Sequence, residues 1–233
     1  MTAPETLRPV AAGTHPPLLH PDYRSTRQRA PSQAPIALPQ TGADTSVTQW
    51  PRERILETDA DLTRQSSGTP LGERIIVSGR VIDEDGRPVR NSLVEIWQCN
   101  AAGRYSHRKD QHDAPIDPHF RGFGKTLTDD EGRYRFVSIK PGPYPWRNHP
   151  NAWRPSHIHF SLFGNAYAQR LITQMYFPDD PLFPYDPILG GVPEAARPRL
   201  ISTFDLGLTI EGFGIGFRFD IVLRGRGATP MGL

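Results

Sequence analysis

Glycine and proline punctuate this chain too often for long helices to form. There are 21 glycines and 25 prolines among 233 residues. Proline removes a backbone donor and breaks a helix interior, and glycine supplies the positive φ that tight turns need. The apolar runs left between them are short. Arg74–Ile82, Leu93–Trp97, Thr126–Thr128, Tyr134–Ile139, His157–Leu162, Leu171–Phe177 and Phe217–Leu223 read as strands. Asp83-Glu84-Asp85-Gly86 and Asp129-Asp130-Glu131-Gly132 read as turns, since aspartate bonds its own backbone and glycine takes the left-handed position. Only 193–203 looks briefly helical. Many short strands joined by such turns predict an all-β protein, an antiparallel β-sandwich with long loops.

The first 70 residues differ in texture. Ten of the prolines lie there, and amphipathic periodicity is weak. Residues 1–70 read as an extended Pro-rich N-terminal arm that packs on the core or on a partner subunit, with a disordered tail as the alternative on composition alone, and 71–233 read as the β-sandwich catalytic domain. A net charge of +2 comes without a dense Lys/Arg block, so no nucleic-acid footprint is present. No run of about 18 apolar residues predicts a membrane span. Met1–Glu5 lacks the basic and apolar regions of a secretory signal. The single cysteine, Cys99, excludes an internal disulfide and fits a reducing cytoplasm. It reads as a small buried side chain.

The chemistry-bearing candidates cluster in one stretch. Tyr144 sits between Pro143 and Pro145, which hold its backbone extended. His157 and His159 follow at i and i+2 on a strand, so they share one face. His15 and His20 read as solvated arm residues, and His107, His112, His119 and His149 lie in polar loops. An H-x-H pair alone reads more simply as the polar face of a half-exposed strand. Two imidazoles with phenolates, however, form a donor set suited to ferric iron.

The chain resembles the intradiol ring-cleaving dioxygenases, and within them the iron-bearing beta chains of the two-chain, protocatechuate-cleaving branch. The resemblance rests on Gly72-Glu73-Arg74-Ile75-Ile76-Val77, Glu95-Ile96-Trp97-Gln98, Gly103-Arg104-Tyr105, Pro141-Gly142-Pro143-Tyr144-Pro145-Trp146-Arg147 and Trp153-Arg154-Pro155-Ser156-His157-Ile158-His159-Phe160. It runs from about Gly72 to Gly225 and reaches weakly into the arm at Pro21-Asp22-Tyr23. It implies Fe(III) held by Tyr105, Tyr144, His157 and His159, with Tyr144 leaving as substrate binds. It implies a role for Arg154 in holding charge that develops on the ring. Gln174, Trp146, Ile188, Tyr23 and Arg29 are the implied substrate-pocket residues, the last two reaching from the arm toward a ring carboxylate. The implied reaction is protocatechuate plus O2 to 3-carboxy-cis,cis-muconate, within aromatic catabolism toward β-ketoadipate. The implied partner is an alpha chain, paired with this one in a larger oligomer.

Three other readings stay open on the sequence. One is an intradiol enzyme for catechol, hydroxyquinol or a substituted catechol. A transthyretin-like binding module would share the sandwich but has no reason to keep the four ligand candidates. A zinc hydrolase would need a carboxylate near the histidine pair, and none has that spacing. The segments 163–170 and 190–206 match the family pattern least.

Overall fold

The computed structural model describes residues 7–46, 50–164, 166 and 169–232. Met1–Glu5 lies outside these residues, as do Asn165, Tyr167 and Ala168 of the 163–170 segment. In chain order the strands are β1 (Arg74–Ile82), β2 (Leu93–Trp97), β3 (Phe123–Leu127), β4 (Arg133–Ile139), β5 (Tyr144–Pro145), β6 (Trp153–Arg154), β7 (His157–Phe163), β8 (Arg170–Tyr176), β9 (Thr203–Phe204), β10 (Ile215–Arg218) and β11 (Ile221–Val222). Two short α-helices, α1 (Thr26–Arg29) and α2 (Pro187–Gly191), and a few 3-10 turns complete the described elements. No helix is long and apolar enough to cross a membrane among the described residues.

Two sheets face each other, as the turn-punctuated sequence predicts. One is wholly antiparallel, in the order β3-β2-β7-β8. The other is centred on β1, which pairs antiparallel with β4 and parallel with β10 and β11. The sequence reads Phe217–Leu223 as one strand. The structure divides it, because the chain leaves β10 after Arg218 and pairs again with β1 three positions further on, at Ile221. The segment expected to be briefly helical is a 3-10 turn over Glu194–Leu200.

The core lies between the sheets. Ile158, Phe160 and Leu162 of β7 are fully buried there with Ile75, Val77, Ile96, Phe136, Met175 and Phe219. Each such side chain contributes about 1.5–3 kcal/mol relative to exposure. Strand alternation then forces His157, His159 and Ser161 onto the opposite face of β7. His157 is nonetheless only 1% exposed, because the β5–β6 ribbon and residues 176–191 cover that face.

The arm is not free of the core. Leu62 is fully buried in the core cluster, and its N–H donates to the Val137 carbonyl at 2.9 Å. His15 and His20 are half-buried rather than solvated. His15 Nδ1 accepts from the Met231 N–H at 3.1 Å, and the His20 ring lies against Gly191. The arm has few apolar residues in any periodic pattern, so its docking depends on contacts distant in sequence.

Candidate metal centre

The outer face of the antiparallel sheet sets half of the site by register alone. On β7, His159 lies opposite Trp97 of β2 and Gln174 of β8, and His157 lies opposite Tyr176 of β8. Directly opposed side chains share a face of the sheet. The Trp97 indole accordingly stacks on the His159 ring, with centroids 4.8 Å apart and planes within 1°. The two imidazoles stand 4.9 Å apart, nearly perpendicular.

The other half arrives on loops. Asn100 Oδ1 accepts from the Ala102 and Arg104 N–H groups at 3.0 and 2.9 Å, closing a turn that delivers Tyr105. Gly103 in that turn has φ +77, and a Cβ there would lie 2.2 Å from the Pro143 carbonyl oxygen. Only glycine lets the Tyr105 loop approach the Tyr144 loop this closely. The Gly142 N–H donates to the Asn100 carbonyl at 3.0 Å, and Ser156 Oγ donates to the Pro141 carbonyl at 2.6 Å. The ribbon pairing Tyr144 with Arg154 completes the attachment.

The four expected ligands therefore meet. Tyr105 Oη lies 3.2 Å from His159 Nε2, and Tyr144 Oη lies 3.4 Å from His157 Nε2. The two phenol rings are 5.4 Å apart, edge to face. His157 Nδ1 lies 2.7 Å from the Pro155 carbonyl, and Arg154 Nη1 lies 2.9 Å from His157 Nε2. A guanidinium can only donate, so His157 Nε2 is an acceptor and its proton sits on Nδ1. That is the tautomer a metal-binding imidazole needs, oriented by a carbonyl behind it.

Electrostatics point the same way. Burial first, then the nearby Arg154 charge, holds both histidines neutral: His157 is well below its ordinary pKa and His159 is lowered to about 3. Metal ligation requires neutral imidazole. Burial raises the Tyr105 and Tyr144 phenols, the latter against an opposing pull from Arg154. Without a cation the phenols keep their protons, and a trivalent ion would reverse that preference. The donor set thus fits a hard ferric ion. No group of three or more His, Cys, Asp or Glu gathers as a metal site among the described residues.

Arg154 is no surface residue. Its side chain is 2% exposed and paired with Asp186, which is fully buried. Burial opposes its charge, but Tyr176, Asp186 and Tyr144 outweigh that cost and keep it protonated. Gln174 Oε1 accepts from Arg154 Nη2 at 2.7 Å and Tyr176 Oη lies 2.8 Å from the same nitrogen. Asp186 and Tyr176 escaped the sequence reading. Asp186 was legible in part, since Asp-Pro ahead of an apolar pair marks a helix N-cap.

The remaining candidates spread outward. A cavity of about 570 Å³ opens over Tyr105 and Tyr144 and is walled by Trp146, Arg147, Lys109 and His112. Tyr23 is buried edge-on against Trp146, with centroids 5.1 Å apart, and Arg29 lies over Tyr23 at 4.7 Å. The Arg154 guanidinium lies 5.9 Å from the Trp146 ring centroid. Ile188 is buried at the start of α2, and neither it nor Tyr23, Arg29 or Gln174 lines this cavity. A larger cleft of about 810 Å³ lies between the arm and residues 182–190, where Arg24, Arg27 and Asp186 contribute to its walls and none of the four ligand candidates does. Cys99 is buried, as expected, with its thiol pushed up to about 12 by burial.

The mostly antiparallel two-sheet fold matches that of solved ring-cleaving dioxygenases. The chain belongs to the intradiol ring-cleaving dioxygenase family. A family model described as dioxygenase matches residues 51–225, and one described as protocatechuate 3,4-dioxygenase beta subunit N terminal matches residues 9–41. The chain is 59% identical to the protocatechuate 3,4-dioxygenase beta chain of Burkholderia cepacia, over 99% of each. It is 31% identical to the protocatechuate 3,4-dioxygenase alpha chain of Pseudomonas putida, over 68% of this chain and 75% of that one. The crystal structure of 3-chlorocatechol 1,2-dioxygenase from Rhodococcus opacus 1CP superposes with a TM-score of 0.54 at 25% identity, over 82% of this chain and 70% of that one. Enzymes of this family are generally iron-dependent.

Proposed function

We propose that this chain is the iron-bearing beta subunit of a protocatechuate 3,4-dioxygenase. In this reading Tyr105, Tyr144, His157 and His159 hold Fe(III), and the reaction is protocatechuate plus O2 to 3-carboxy-cis,cis-muconate, with both oxygen atoms retained. The observation that carries it is the meeting of two phenols and two neutral imidazoles in one buried cluster beside a fixed guanidinium. The full-length similarity to a beta chain supports the substrate and the subunit type.

Bound ferric iron would supply the Lewis acidity that deprotonates the phenols and activates the catechol toward dioxygen. The chain's own residues supply the rest. With iron bound, the Tyr144 phenolate would be the group on this chain able to accept a catechol proton, and its Oη lies 3.5 Å from Arg154 Nη1, which can donate to it. Arg154 stays charged and faces the negative charge that builds on the ring. Trp146 forms an apolar wall, Tyr23 backs it, and Arg29 extends the arm's charge toward the ring carboxylate. Gln174 holds the guanidinium, and Ile188 closes the apolar side. In this reading the sandwich domain (residues 71–233) lines the cavity over Tyr105 and Tyr144, and the arm (residues 1–70) supports it from behind Trp146 through Tyr23. An alpha chain completes the enzyme as alpha–beta pairs in a larger oligomer. The enzyme works in the cytoplasm, in keeping with its single buried thiol.

The test is the visible spectrum of the chain co-expressed with its alpha chain, before and after anaerobic protocatechuate. A tyrosinate band that moves to longer wavelength with substrate, and that largely disappears in Tyr105→Phe, supports the assignment. A colourless, iron-free protein overturns it. Turnover of catechol or hydroxyquinol in preference to protocatechuate overturns the substrate alone.

A further inference from the structure

The Arg154 guanidinium has two edges that do different things. Its Nε and Nη2 edge is fully engaged: Nε donates to Asp186 Oδ1 at 3.3 Å and Nη2 to Asp186 Oδ2 at 2.9 Å, while Gln174 Oε1 and Tyr176 Oη also meet Nη2. Its Nη1 faces only proposed ligands, His157 Nε2 at 2.9 Å and Tyr144 Oη at 3.5 Å. A fork that takes Nε and Nη2 together fixes the guanidinium plane and leaves Nη1 no freedom to turn away. Asp186 is the one anionic arm of that anchor, and its side chain is fully buried. The same carboxylate caps α2, since Oδ1 accepts from the Ile188 N–H at 3.0 Å. Tyr176 Oη also lies 3.1 Å from Asp186 Oδ2, so the acid is itself held from both sides. One carboxylate therefore connects the working edge of Arg154 to the helix that bears Ile188.

We propose that Asp186 is a positioning residue for the ring-cleaving reaction: it aims Arg154 Nη1 at the Tyr144 phenol oxygen and fixes α2 relative to it. This rests on the iron-site reading above. Among the described residues Asp186 bonds Arg154, Tyr176 and the α2 backbone and no ligand candidate, so its effect passes through the guanidinium. Replacing it loosens Nη1 from Tyr144 Oη, and the phenolate loses a hydrogen-bond donor. A phenolate with less hydrogen bonding gives up an electron to ferric iron more easily, so its charge-transfer band moves to longer wavelength. The charge that Arg154 sets against the reacting ring is misplaced at the same time, which acts on the transition state more than on ground-state binding.

The experiment compares Asp186→Asn and Asp186→Glu with the parent, each co-expressed with the alpha chain. Iron content, thermal midpoint, the resting visible band, kcat per bound iron and KM for protocatechuate are measured. Asp186→Asn is expected to move the resting band to longer wavelength. It lowers kcat per iron roughly tenfold or more while KM changes by less than about threefold. Asp186→Glu keeps the charge but lengthens the arm, so it restores the thermal midpoint without restoring band or rate. If Asp186→Asn does not fold, the Glu variant alone decides through the same band and kcat readouts. Variants with the parent band and parent kcat per iron, whatever their midpoints, overturn the proposal and leave Asp186 a structural counter-ion. A parent enzyme without a tyrosinate band overturns the iron-site reading and this proposal with it, so the two failures are told apart by the parent alone.

Discussion

The two halves of the candidate metal centre are built on different physics. His157 and His159 ride on β7, flanked by paired strands, and their direction follows from the core on the opposite face. Tyr105 and Tyr144 ride on loops, where direction depends on one glycine, one asparagine side chain and two prolines. The sheet half is redundant, with pairing from β2 and β8, stacking from Trp97 on His159 and a tilted ring contact from Tyr176 on His157 all agreeing. The loop half hangs on few contacts. In the proposed assignment Tyr144 leaves while Tyr105, His157 and His159 stay, and a phenol on a loop can swing at less cost than an imidazole on a strand.

The largest effect should come from attacking the sheet half through the core. Phe160→Ala empties the core-side position that follows His159 on β7, where Phe160 is fully buried against Tyr134, Phe136 and Phe219. A loss of about 3–5 kcal/mol in unfolding free energy is expected from denaturant titration. A loss under about 1 kcal/mol would mean that β7 is held by something other than this core, and the contrast between halves would fail.

Next in size is the loop half. Gly103→Ala places a Cβ at 2.2 Å from a carbonyl oxygen at positive φ, whereas Gly86→Ala meets nothing within 4 Å at nearly the same φ of +78. The Gly86 variant is expected to cost about 1 kcal/mol for conformation alone. The Gly103 variant should cost about 1–3 kcal/mol more and weaken the tyrosinate band. Equal costs in the two variants would show that the loops do not depend on close approach.

That pair of glycines also shows what could be read from the sequence. Asp83-Glu84-Asp85-Gly86 and Asp129-Asp130-Glu131-Gly132 are legible turns, and each aspartate Oδ1 does bond backbone N–H groups two and four residues on. Asn100-Ala101-Ala102-Gly103 is the same device with asparagine, and it delivers Tyr105. Strand alternation likewise gives the shared face of His157 and His159. What the sequence hides is anything set by contacts between distant segments. The division of Phe217–Leu223, the parallel pairing of β10 and β11 with β1, and the burial of His15 and His20 are of this kind. Arg154 shows the limit most sharply. Nothing local says whether an arginine before a strand is solvated or buried, because its partner Asp186 lies 32 positions away.

A smaller effect should separate the arm from both halves. Asn148 Nδ2 donates to the Asp22 carbonyl at 2.6 Å, and its Oδ1 accepts from the Arg24 N–H at 2.8 Å. Asn148→Ala removes both ties and should loosen the segment bearing Tyr23 from Trp146, costing about 1–2 kcal/mol. If the arm contributes to substrate binding, KM for protocatechuate rises roughly threefold or more, with the tyrosinate band unchanged. A changed band with an unchanged KM would instead join the arm to the loop half.

The smallest effect comes from Cys99, which sits at the seam between the halves. It lies two residues past the end of β2, and its Sγ is 3.2 Å from the Gly142 carbonyl of the Tyr144 loop. Burial keeps the thiol protonated, raised to about 12, so thiolate is scarce at pH 8 and a thiol reagent reaches it only when the loops open. Labelling of the parent should be slow and incomplete under native conditions and complete in denaturant. In Gly103→Ala the native labelling rate should rise several-fold, because the loop that covers the thiol is displaced, while in Gly86→Ala it should match the parent. If both variants label alike, opening at Cys99 tracks global stability, and the loop half does not move as a unit of its own.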